Sequence, residues 1–191
     1  MRRRVLTAFA LLIAMLSFGR ARSGSEGATD TTGHHEGVMS TREQLYQAII
    51  VDRIGDRALS TLHGAKRANL VFLTGQLAVE YSADELARFD GVLCDYPIER
   101  KGPNLDPLEI EELRSLLLDP YNYTLDSYRC GFKPQYAVTF FTDSDSVTAI
   151  LSIGCASALF CHATELHGGG VVTTACGTAL QELVGRIVVG D

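Results

Sequence analysis

The side chains able to do chemistry in this chain gather near its C-terminal end. Residues 130–176 hold Cys130, Cys155, Cys161 and Cys176, together with His162, Glu165 and His167. A thiol nucleophile needs a base within hydrogen-bond reach and a third group to orient that base. Cys161, His167 and Glu165 supply those three residue types. No cysteine sits in a strand-to-helix elbow pattern, however, and no hydrolase signature surrounds any of them, so no catalytic residue is assigned. The same stretch offers Cys155, Cys161, His162, His167 and Cys176 as metal ligands. Their spacing fits no tight template. There is no Cys-x-x-Cys knuckle, and Cys161-His162 lacks the first cysteine of a haem-attachment motif. Neighbours on a strand face opposite sides, which sets Cys161 apart from His162. Cys161, His162 and His167 are the residual metal candidates; the reading predicts no resident metal and no cofactor.

The remaining chemistry is the disulfide, and it depends on the compartment. The chain begins MRRRVLTAFALLIAMLSFGRARS. Three arginines, an apolar run from Val5 to Phe18 and small residues at Gly19, Ala21 and Ser23 have the layout of a secretory signal peptide. The run is shorter than the ~20 residues a spanning helix needs. The reading is therefore a signal peptide over 1–23 and an exported chain, periplasmic or extracellular. The first cysteine is Cys94, far beyond the apolar run, so the chain is not read as a lipoprotein. Arg2-Arg3-Arg4 also loosely fits a twin-arginine signal.

Oxidising compartments favour disulfides. Cys130 precedes a predicted hairpin and Cys155 follows it, so the returning chain brings them together. A bridge closing a loop of that size contributes about 3 kcal/mol. Cys161 and Cys176 are the second candidate pair, from the last strand to the terminal helix. Cys94 is then left over as a small buried hydrophobe.

Charge narrows the partners. Seventeen basic residues, less the five arginines of the leader, leave twelve against 23 acidic ones, a net of −11. Such a surface repels phosphate backbones and anionic lipid heads. Neither nucleic acid nor an anionic membrane surface is an expected partner; a protein or a small molecule is. Residues 24–39, GSEGATDTTGHHEGVM, read as a disordered tether with a solvated His34-His35 pair. Residues 40–191 suit a single domain.

Several elements must position the cysteines. Ser40-Thr41-Arg42-Glu43 opens a helix over 41–53 with Leu45, Ala48 and Ile49 at helical spacing. A weaker helix runs from Asp56 to Lys66 with Leu59 and Leu62 inside. The stretch 71–79 is ambiguous between strand and helix. Val92–Tyr96 reads as a strand ending before Pro97. Asp106, Pro107 and Glu109 start a helix with Ile110, Leu113, Leu116 and Leu117 buried, stopped at Asp119-Pro120. Residues 137–142 and 147–153 form a hairpin around the polar tip Asp143-Ser144-Asp145-Ser146, which lacks the glycine and glutamate of a calcium loop. A third strand covers 158–166 and ends at Gly168-Gly169-Gly170, a flexible turn with no phosphate-loop lysine. Leu180, Leu183, Val184 and Ile187 mark a closing amphipathic helix. The expected fold is α+β, an antiparallel sheet of three to five strands with helices on one face. Leu113, Leu117, Val138, Phe140, Leu151, Leu183 and Ile187 should share its core.

The segment LLLDPYNYTLDSYRCGFKPQYAVTFF, followed by SVTAILSIGC, resembles a family of uncharacterised bacterial exported proteins. Cys130, Phe132 and Pro134 match that family's Cys-x-Phe-x-Pro motif. Cys155 matches the second cysteine of its Cys-Phe-x-Cys-like strand end, while Ser152 stands where the first would be. The likeness spans roughly residues 105–189. It implies an exported domain with no established reaction, cofactor or partner. The resulting expectation is a non-enzymatic binding or accessory module of the cell envelope. The alternative is a thiol-dependent hydrolase or a metal-binding envelope protein.

Overall fold

Local signals start and stop the helices cleanly. In the computed structural model, which describes residues 41–124, 130–162 and 165–190, α1 (Thr41–Ile54) and α2 (Asp56–Gly64) come first. Gly55 separates them at φ 84°, a conformation that suits glycine. The signal peptide, the tether and the expected cap Ser40 lie outside the described residues. The inner face of α1 is set by Ile50 and Ile54, both buried, whereas Ala48 is exposed and not part of the buried stripe. Further along, α4 (Pro107–Leu118) has the full capping box. Asp106 accepts from the Leu108 and Glu109 amides at 2.7 and 2.8 Å, and Glu109 accepts from the Asp106 amide at 2.8 Å. A short α3 (Ala83–Leu86) precedes it in the chain, and α5 (Thr174–Val189) closes the fold.

The strands are β1 (Arg67–Leu73), β2 (Val92–Leu93), β3 (Tyr96–Asn104), β4 (Tyr136–Phe141), β5 (Ser146–Ser152), β6 (Ser157–His162) and β7 (Glu165–Val171). They form one antiparallel sheet in the order β2-β3-β1-β4-β5-β6-β7. The α+β class with an antiparallel sheet is thus as expected, but the sheet has seven strands rather than three to five.

Two misread stretches account for the difference. The expected strand over 158–166 is two strands, β6 and β7. Its glycines do not end a strand; Gly168, Gly169 and Gly170 pair inside β7 with Phe160, Leu159 and Ala158. A side chain on Gly169 would run into the Ala158 carbonyl and the Leu159 side chain, so glycine here serves close approach rather than turning. The second stretch is Val92–Tyr96. The chain reverses at Cys94-Asp95, both at positive φ, and continues through Pro97 as β3. Two prolines, a glycine and three charged residues make β3 look like a loop. Proline is tolerated there because only the two-residue β2 covers its outer side.

Alternation along the strands divides the sheet into two faces. Val138, Phe140, Val147, Ala149, Leu151, Ala158 and Phe160 pack with Leu113, Leu117, Leu183 and Ile187 into one cluster under the helices. All seven expected core residues lie in it. The other face carries Val71, Leu73, Ala137, Ile150 and Cys161, covered by Leu93, Cys94, Tyr96, Ile98 and Phe132. Cys94, in the β2–β3 turn, is bonded to Cys161 in β6 with Cα atoms 6.2 Å apart. At about 4.8 Å per strand step, the four steps from β3 to β6 would span about 19 Å in a flat sheet. The sheet therefore curls towards this face, and the turn folds over it.

Candidate functional site

Parity decides the cysteine pairing. Phe160 and His162 point to the helix side of β6, so Cys161 points away from it. It cannot meet Cys176, which sits on α5 in the main core. The expected Cys161–Cys176 bridge is thus replaced by Cys94–Cys161, and the residue left over is Cys176 rather than Cys94. The other bridge joins Cys130 to Cys155 with Cα atoms 5.8 Å apart. Cys176 is buried, and burial, with Asp119 assisting, pushes its thiol up to about 11. It holds no thiolate at neutral pH.

These facts dissolve the drawn catalytic and metal arrangements. The Cys161 sulfur is in a covalent bond, so a Cys161–His167–Glu165 nucleophile has no thiol. The side chains of Glu165 and His167 lie outside the described residues. Cys161 and His162 face opposite ways, and among the described residues no three His, Cys, Asp or Glu side chains converge to hold a metal.

His162 instead joins the hairpin tip. Its Nε2 lies 2.6 Å from Asp145 Oδ1, and Arg57 Nε of α2 donates to Asp145 Oδ2 at 2.8 Å. The polar hairpin tip is thus tied to a helix and to β6. Arg57 first, and His162 second, hold the Asp145 carboxyl well below the usual carboxylate range. A lowered carboxylate pKa gives stability that is fully present above the unfolded value of about 3.9 and is lost as the pH falls towards the folded value. Asp145→Asn should therefore lower the urea midpoint at pH 7. The gap to the unmodified protein should narrow steadily in melts taken below pH 4. A gap that stays constant with pH would show that the carboxylate charge is not the source.

A cleft of about 580 Å³ lies beside the Cys130–Cys155 bridge. One wall is the tight turn Ile153–Ala156, the other the first turns of α5. The turn is held in place from both sides. Ala156 is left-handed at φ 44°; its amide donates to Ile153 O at 3.0 Å and its carbonyl accepts from Val172 N at 2.7 Å. Gly177 lets α5 close on it, because a Cβ there would stand 3.1 Å from that of Ala156. The loop carrying Cys130 is fastened to the end of β5. Buried Ser152 donates to Lys133 O at 2.9 Å and accepts from Lys133 N at 3.2 Å, while Gln135 Oε1 accepts from Ile153 N at 3.1 Å.

Among the described residues the lining is uncharged. Thr124, Thr173, Thr174, Thr178 and Gln181 supply hydroxyls and a carboxamide over a floor of Ile153 and Val172. Thr173 Oγ1 accepts from the Cys176 amide at 3.3 Å, capping α5. Among the described lining residues there is no general acid, base or thiolate. These residues can pack and hydrogen-bond a guest. Sequence reasoning placed only Cys130 and Cys155 here. The available signal was Thr173 at a helix start and a glycine within its first turns.

Comparison with family models, with curated proteins and with solved structures finds no match for the chain.

Proposed function

We propose that this protein is an exported, non-enzymatic binding module of the cell envelope that holds a small uncharged ligand in the cleft beside Cys130–Cys155. The observation that carries the reading is the state of the sulfurs around that cleft. Four cysteines are bonded, the fifth is buried with a raised pKa, and the described residues of the cleft wall offer hydroxyl, amide and apolar groups. Two disulfides suit an oxidising compartment, in keeping with the signal-peptide layout and the resemblance of residues 105–189 to exported proteins. Among the described residues no helix is long and apolar enough to cross a membrane. The acidic balance argues against nucleic acid and anionic membranes as partners.

The test is titration of isotope-labelled protein with uncharged sugars and blocked dipeptides at millimolar concentration. Amide shifts should concentrate at Gly154, Thr174 and Thr178. Gly154 faces open space, so Gly154→Phe should block the cleft without displacing its neighbours. Binding should then vanish while Tm is kept, and the probe should be recovered intact. Absence of shifts at these residues for every probe, or cleavage of a probe, would overturn the reading.

A further inference from the structure

The two disulfides differ in their surroundings. Cys94 and Cys161 are 8% and 1% exposed and belong to the apolar cluster of the outer sheet face, packed with Leu93, Tyr96 and Leu159. Cys130 is exposed and Cys155 half-buried, and both line the cleft between the Ile153–Ala156 turn and α5. A thiolate breaks a disulfide only by reaching one of its sulfurs, so exposure decides which bridge exchanges.

The Cys130–Cys155 bridge also sits where cutting it alters the cleft and spares the core. On one side of Cys130, Thr124 N donates to Val171 O at 3.0 Å. On the other, Ser152 holds both the amide and the carbonyl of Lys133. Between these fixed points the bridge ties Cys130 to the turn that forms the cleft wall. The turn keeps its own backbone bonds, from Ala156 N to Ile153 O and from Val172 N to Ala156 O, without the sulfur. Neither cysteine is a member of the main core. Gly131 O lies 3.0 Å from Cys155 Sγ, so a thiol set free there has an acceptor at hand.

We infer that Cys130–Cys155 is a reducible latch on this cleft: a small dithiol opens it, frees Cys130 from the wall and weakens the hold on a guest. One thiolate of the dithiol bonds to Cys130 Sγ, the bond to Cys155 breaks, and Cys155 leaves with the electron pair and takes up a proton. The second thiolate then bonds to the first sulfur of the reductant, closing it into a disulfide, and Cys130 leaves and takes up a proton. The protein gains two electrons and two protons, and the dithiol loses them. The bridge is the target of this exchange, since the reductant brings the nucleophile. Cys94–Cys161 stays closed throughout and keeps the β2–β3 hairpin in place. The weakened hold on a guest rests on the binding role proposed above; the opening itself does not.

Titration of the folded, isotope-labelled protein with dithiothreitol tests this, with alkylation and peptide mapping at each step. Cys130 and Cys155 should be labelled at concentrations that leave Cys94–Cys161 linked. The Thr174 and Thr178 amides, across the cleft from the bridge, should shift in the ligand-free protein, while Leu113 and Leu183 in the core keep their positions. A sugar or blocked dipeptide that binds the oxidised protein should bind the reduced one about tenfold more weakly, because a loosened rim must be ordered again. If no probe binds the oxidised protein, the binding role fails and the amide shifts alone decide the latch. The inference fails if the two bridges open together, if Cys94–Cys161 opens first, or if the folded spectrum is lost with the first bridge. It fails equally if Thr174 and Thr178 do not shift, or if a probe is held as tightly after reduction.

Discussion

Replacing Cys94 and Cys161 together with alanine is expected to lower stability by about 4 kcal/mol. The two residues are 67 apart in sequence, and releasing so long a loop gives the unfolded chain much freedom. The native state also loses a fastening. The β2–β3 hairpin meets the rest of the sheet only through β3, and its turn covers Val71, Leu73, Ala137 and Ile150 through this bond. Urea unfolding of oxidised protein would measure the effect, alongside Cys130→Ala/Cys155→Ala. That second pair closes a loop of 25, so its loss should cost less, about 3 kcal/mol. Equal or reversed losses would mean that the hairpin is held by its apolar contacts rather than by sulfur.

Leu151→Ala should cost about 2–5 kcal/mol. Leu151 is 1% exposed and sits near the end of β5, between Tyr136 of β4 and Ala158 of β6, against the helices. Leu159→Ala, on a half-buried residue of the opposite face, should cost distinctly less. Chemical denaturation of both variants reads the parity of the sheet directly. A loss below about 1 kcal/mol at Leu151 would reverse the face assignment.

The contrast between these positions shows what the sequence made legible. The 3.6 period in α4 and α5 and the alternation in β4 and β5 each point one face at a common core, and Leu113, Leu151 and Leu183 do meet there. The Asp106 capping box could be read letter by letter. What stayed hidden was long-range. Pro97, Pro103 and the glycines at 168–170 are loop signals locally, yet they lie in strands because an edge tolerates proline and a close-packed pair requires glycine. The Cys94–Cys161 bond follows from the curl of the sheet, which no local pattern encodes. Period-two parity alone, applied to Cys161 as it was to Leu151, would have excluded Cys176 as its partner.

The cleft beside Cys130 was half visible. Cys130 and Cys155 stood out by type, but its threonines come from Thr124 and from the first turns of α5. Only the antiparallel return of β7, with Tyr123 bridging Val172, brings those segments together.

The sulfurs of this protein hold structure rather than do chemistry, and a thiol census tests this most directly. The unreduced protein would be treated with an alkylating reagent, first folded and then denatured, and digested for peptide mapping. The expected result is no label on the folded chain, one label at Cys176 after denaturation, and linked peptides Cys94–Cys161 and Cys130–Cys155. Rapid labelling of any cysteine in the folded protein at neutral pH, or a linked peptide containing Cys176, would contradict it.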